Sequence, residues 1–95
     1  MNVTKEEIQT QIQELSGWSF DGEVIRVEYV FSDFKEAFAF MSLVAIEAEK
    51  MEHHPSWSNE YNKVNISLST HDEGSVTECD IELARNISHI VKRFI

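Results

Sequence analysis

The patterning of this 95-residue chain predicts an α+β fold: one small domain, residues 1–95, in which a four-stranded antiparallel sheet carries three helices packed on one face. Three observations predict it. Apolar residues recur at helical spacing in three separate segments, the runs between them alternate apolar with polar at period two, and the order is helix, two strands, helix, one or two strands, helix. A domain this short can bury most of its apolar surface only if nearly all of it joins one core, so no second domain is expected.

Taken in order, Thr4 followed three residues later by Glu7 reads as a capping box, and Ile8, Ile12 and Leu15 keep helical spacing until Ser16-Gly17 stops it. WSF and EVIRVEYVF then flank Asp21-Gly22, the dipeptide most typical of a two-residue hairpin turn, with Ile25, Val27, Tyr29 and Phe31 alternating with Arg26 and Glu28. Ser32 can cap a long helix to about Glu52. Its apolar stripe is Phe34, Ala37, Phe38, Met41, Val44, Ala45, Ala48 and Met51, widened by Phe40. So wide a stripe exceeds what one small sheet covers, and the surplus points to self-association. Pro55 ends this helix. VNISLST places Val64, Ile66 and Leu68 inward and Asn65, Ser67 and Ser69 outward, with His71 on the polar face if the strand runs that far. DEGS makes a turn, and Thr77 opens a last helix whose Ile81, Ala84, Ile87, Ile90, Val91 and Phe94 share a face.

With 42% hydrophobic and 26% charged residues, three Gly and one Pro, the composition is that of an ordered globular protein. Seventeen acidic residues against eight scattered basic ones give a net charge of -9, which disfavours direct nucleic-acid binding. The lone Cys79 cannot form an internal disulfide, and MNVTKEEIQT lacks the features of a secretory signal, so a reduced, cytoplasmic setting is the expectation. FAFMSLVAI, at 38–46, is far short of a membrane span.

Chemistry concentrates in KMEHHPSWSNEY, residues 50–61. His53 and His54 at a helix end admit three readings. Imidazoles complement the negative end of a helix dipole. They also ligate metals, with Glu49, Glu52, Asp72 and Asp80 as possible oxygen donors, although adjacent histidines splay apart and no i, i+4 or CxxC pair is present. Third, imidazole titrates near neutrality and serves as a general acid or base, and Glu49, four residues before His53, could orient it. His89 is expected on a solvated surface. Asp80, three residues after Thr77, fits a capping box as well as a site role. Trp57 and Tyr61 could stack on a planar ligand, although core packing in a strand pair is the commoner use of aromatics. Cys79 is expected to be buried or half-buried and inert. No GxGxxG, GxxxxGK[ST] or GxSxG sequence is present.

The run EKMEHHPSWSNEYNKVNISLSTHDEGSVTECDIELA, residues 49–84, closely resembles the pterin-4a-carbinolamine dehydratases. That family is marked by a charged residue shortly before His-His-Pro, an aromatic several residues later, a further histidine after a strand and an aspartate in the next helix. Here these are Glu49, His53, His54, Pro55, Tyr61, His71 and Asp80, and the resemblance extends back to Trp18. Gly74-Ser75 departs from the family's common Gly-Gly. The resemblance implies dehydration of 4a-hydroxytetrahydropterin to quinonoid dihydropterin, with the pterin as substrate and neither metal nor cofactor. It further implies His53 and His71 as the acid-base pair, His54 as the pterin-positioning member of the catalytic set, and Glu49 and Asp80 in support. Glu52, Trp57, Ser69, Thr70 and Asp72 join the histidines in substrate binding, the extended backbone from Ser69 to Asp72 matching the donors and acceptors of the pterin ring. A homodimer or homotetramer formed through helices is implied as well. Because an animal member stabilises the dimer of a homeodomain transcription factor, a non-catalytic protein-binding module is the alternative.

Overall fold

The computed structural model describes residues 3–70 and 74–95. In chain order the elements are α1 (Lys5–Ile12), β1 (Ser19–Phe20), β2 (Ile25–Val30), α2 (Phe34–Met51), β3 (Ser56–Glu60), β4 (Lys63–Leu68) and α3 (Glu78–Val91). The strands form one antiparallel sheet in the order β1-β2-β4-β3. This is the expected α+β layout, a four-stranded sheet with three helices.

Period-two alternation decides which face the helices cover. Opposed pairs Val27↔Ile66 and Tyr29↔Val64 point inward and are buried, whereas Arg26, Glu28, Lys63 and Asn65 on the other face are exposed. Ile25, Val27, Val64, Ile66 and Leu68 meet Phe40, Val44, Ile81, Leu83 and Ile87 in a single core cluster. Each fully buried aliphatic or Phe side chain there contributes about 1.5–3 kcal/mol. Half-buried Trp57 packs against the same cluster. Tyr61 does not: it sits in the turn between β3 and β4 with φ 52° and is 62% exposed, because the strand pairing closes at Glu60↔Lys63 and leaves it outside.

The capping box at Thr4 and Glu7 is present, but α1 ends at Ile12, and Leu15 packs on the core from beyond it. The hairpin turn is displaced by one residue from the expected Asp21-Gly22. Asp21 N–H bonds the Val24 carbonyl, placing Gly22 and Glu23 in the centre, while the Asp21 carboxylate accepts the N–H groups of Glu23 and Val24, both at 2.9 Å. Gly22, at φ 97°, supplies the left-handed residue. Those two amides, and secondarily Arg26, which reaches Asp21 at 2.8 Å, hold the Asp21 carboxyl below its usual 3.8. A depressed carboxylate adds stability above the unfolded-state value and loses it as pH falls through the folded one. The turn should therefore persist on acidification until below pH 3.8, and an NMR titration of Asp21 should show a midpoint under that figure.

Helix α2 is capped by Asp33, not Ser32: the Asp33 carboxylate accepts Glu36 N–H at 2.8 Å, and Ser32 instead donates to the Glu36 side chain. The buried face of α2 is Ala37, Phe40, Val44 and Ala48. Phe40, expected only to widen the stripe, is its centre, with ring centroids 5.0 Å from Phe31 and 5.5 Å from Tyr29. Phe34, Phe38 and Ile46 are left 48–55% exposed, so the surplus apolar surface read from the sequence is real in this chain. Cys79 is exposed, against expectation, because α3 turns Asp80, Ile81, Leu83, Ala84 and Ile87 inward and Cys79 falls between them on the outer side. His89 is exposed as expected.

Candidate active site

How α2 stops determines where its two histidines go. Glu52 adopts the left-handed conformation (φ 52°, ψ 40°), its N–H bonds the Glu49 carbonyl, and His53 N–H reaches back to the Ala48 carbonyl at 3.1 Å. These are the two bonds of a Schellman motif, and Pro55 follows as a residue that cannot resume the helix. The reversal swings His53 inward to a side chain only 14% exposed and leaves His54 outside at 63%.

A buried carboxylate meets His53. Asp80, the third residue of α3, has no exposed surface, and its Oδ1 lies 2.5 Å from His53 Nε2. Its Oδ2 accepts two more hydrogen bonds, from the Thr77 backbone N–H and the Thr70 hydroxyl, each at 2.8 Å. An unpaired charge buried this deeply would cost several kcal/mol, on the order of the desolvation penalty per ion, and these three partners offset it. Asp80 does more than the expected cap: one carboxylate closes the first turn of α3 and also meets an imidazole from the end of α2.

Glu49 does not orient His53. The i, i+4 relation holds only while the helix continues, and the left-handed Glu52 breaks it, so Glu49 Oε1 pairs with His54 Nε2 at 3.0 Å. Both partners are well exposed, and such a pair contributes little to stability.

Thr70 also departs from expectation. Its hydroxyl is engaged by Asp80 and by Thr77 Oγ1 at 2.7 Å, its N–H bonds the Ser75 carbonyl, and its carbonyl accepts Gly74 N–H. Thr70 is thus built into the support of Asp80 more than into an open backbone edge. Ser69 and Trp57 are half-buried, and Glu52 is exposed. His71 and Asp72 lie outside the described residues, as does Glu73, so only Gly74 and Ser75 of the DEGS turn are described. Sequence reasoning missed the Thr70–Thr77 contact; the spacing Thr77-x-x-Asp80 gave the helix cap but carried no hint that a loop threonine would join it.

Among the described residues no three His, Cys, Asp or Glu side chains converge in a way that could hold a metal ion. None of the described helices is long and apolar enough to cross a membrane. Chemically, the arrangement is an imidazole oriented by a carboxylate, which is equipped to donate or accept a proton at its other nitrogen.

A sequence model of the family described as Pterin 4 alpha carbinolamine dehydratase matches residues 1–90. The chain belongs to this family, one of hydro-lyases. A Mesorhizobium japonicum protein provisionally named a pterin-4-alpha-carbinolamine dehydratase is 49% identical over 92% of this chain and 91% of its own length. A Christiangramia forsetii protein of the same provisional name is 46% identical, over 95% and 93%. In three dimensions, the crystal structure of a transcriptional coactivator/pterin dehydratase from Brucella melitensis superposes with a TM-score of 0.89, at 42% identity over 95% of this chain and 98% of that one. The resemblance carried by residues 49–84 therefore extends across the pterin dehydratase fold as a whole, α1 included.

Proposed function

We propose that this chain dehydrates 4a-hydroxytetrahydropterin to quinonoid dihydropterin and water by histidine acid-base catalysis. The observation that carries the reading is the His53–Asp80 pair, buried at the junction of α2 and α3 in a member of the pterin dehydratase family. In the reaction the C4a–O bond breaks, the departing hydroxyl takes a proton and leaves as water, and N5 loses its proton as its electron pair forms the N5=C4a bond. One donor and one acceptor suffice, with no net oxidation or reduction. His53 is one of them and His71 the other. The solvent-facing His54, paired with Glu49, helps position the pterin, as do Glu52, Trp57, Ser69 and Asp72. The physiological role is recycling of the pterin cofactor in the cytoplasm, with no metal or cofactor of the enzyme's own. The copies assemble into a homodimer or homotetramer through the uncovered apolar face of α2.

The test is breakdown of freshly generated 4a-hydroxytetrahydropterin followed by absorbance. Acceleration over buffer is expected, with loss of about 10²–10⁴-fold in the His53→Ala, His71→Ala double variant, the usual worth of general acid-base groups. No acceleration, or full activity in the double variant, would sink the proposal. A second reading, a protein-binding module, is favoured by exposed Phe34, Phe38 and Ile46 and by the coactivator name of the Brucella melitensis structure. Its mark is partner binding retained in the same double variant.

A further inference from the structure

Hydrogen-bond donors and acceptors around Asp80 run in one direction. The Thr77 hydroxyl oxygen accepts the Cys79 N–H at 3.3 Å, which leaves the Thr77 hydroxyl hydrogen to be given elsewhere. Its neighbour at 2.7 Å is Thr70 Oγ1. Thr70 in turn donates to Asp80 Oδ2, since an ionised carboxylate only accepts. The Thr77 backbone N–H donates to that same oxygen. With Oδ2 already accepting from two donors, Oδ1 is the acceptor that faces His53 Nε2.

We propose that Thr70 and Thr77 are positioning residues for His53: their hydroxyl relay holds Asp80 as an acceptor, fixes the neutral imidazole as the Nε2–H tautomer, and makes Nδ1 the nitrogen that exchanges a proton with substrate. The relay joins the loop after β4 to the first turn of α3, so the cap that starts the helix also sets the ring's tautomer. Among the described residues the ring's hydrogen bond is made at Nε2 and none at Nδ1, and the end of α2 that carries the ring is itself fixed by the backbone bonds to Ala48 and Glu49. The backbone that carries the ring and the ring's tautomer are thus set by separate devices. Removing a hydroxyl disturbs the second and leaves the first intact.

The tautomer stands on geometry alone, while its catalytic consequence rests on the dehydratase reading, and the experiment separates the two. Uniformly ¹⁵N-labelled protein is examined by long-range ¹H–¹⁵N correlation at about pH 8, above the ordinary imidazole range of ~6.5, with His53 assigned by its loss in His53→Gln. The expected pattern is a protonated Nε2 and a bare Nδ1, whether or not pterin dehydration is detected. Thr70→Val keeps the β-branched shape and is not a helix cap; it should give mixed tautomers and a kcat lower by about 10–100-fold at little changed KM, the scale found for the outer partners that fix the tautomer of metal-bound histidines. Thr77→Val should act in the same direction, and Thr70→Ser and Thr77→Ser should restore both readouts. A bare Nε2 in the parent protein overturns the proposal. So does a Thr70→Val variant that keeps the tautomer, whatever its kcat.

Discussion

Replacement of Asp80 by asparagine should lower kcat by about 10²–10⁴-fold while the protein stays folded, the scale seen when the carboxylate behind a working histidine becomes an amide. The two oxygens of Asp80 have different tasks, and Asn can perform only one. Its carbonyl can still accept from Thr77 N–H and the Thr70 hydroxyl, which preserves the first turn of α3. Its NH2 then faces His53 Nε2, and two donors cannot share a hydrogen bond. The imidazole must surrender the Nε2 proton and carry it on Nδ1, where the wild-type ring accepts. Stability should fall by only about 1–2 kcal/mol, because bonds to a charged acceptor become bonds to a neutral one. Steady-state kinetics beside a thermal melt decides the matter. Activity within tenfold of the parent would show that the carboxylate is merely a helix cap.

The same residue shows how far the sequence could be read. Thr77-x-x-Asp80 was legible as a cap, and the family resemblance pointed to Asp80 as support, but the contact to His53 spans 27 residues and depends on the angle between α2 and α3. Glu49 misled for a local reason. A spacing of four predicts a shared helical face, and nothing in EKMEHH announces that Glu52 goes left-handed one residue before the histidine. The sheet was legible almost residue by residue, since burial at Ile25, Val27, Tyr29, Val64, Ile66 and Leu68 follows from alternation alone. Turns and caps slipped by one position, at Gly22-Glu23 and at Asp33, where side-chain hydrogen bonds choose among adjacent polar residues.

In α2 the ambiguity was between phenylalanines, and its resolution predicts a large difference between two chemically identical changes. Phe40 is fully buried among Phe31, Tyr29 and Phe94, so Phe40→Ala loses the ring's transfer energy and leaves a cavity, about 3–5 kcal/mol. Against a total of about 5–15 kcal/mol this is a large share, and for a domain of this size it corresponds to a fall in Tm of about 12 °C or more. Phe38, 55% exposed with its ring tilted 38° against that of Phe34, should cost within about 0.5 kcal/mol as a dilute monomer. Its effect belongs to assembly: if the apolar face of α2 is where copies meet, Phe38→Ala lowers the sedimentation coefficient at concentrations where the parent is oligomeric. Equal losses of Tm for the two variants at high dilution would overturn the assignment of Phe40 as the centre of the buried face. Phe40 lies on α2, thirteen residues before His53, which follows the helix's left-handed stop at Glu52, and the rings packed on Phe40 among the described residues are those of Tyr29, Phe31 and Phe94. Well below its melting temperature, Phe40→Ala should therefore retain kcat per folded molecule. That separates a loss of folded population from the loss of proton-transfer geometry expected of Asp80→Asn.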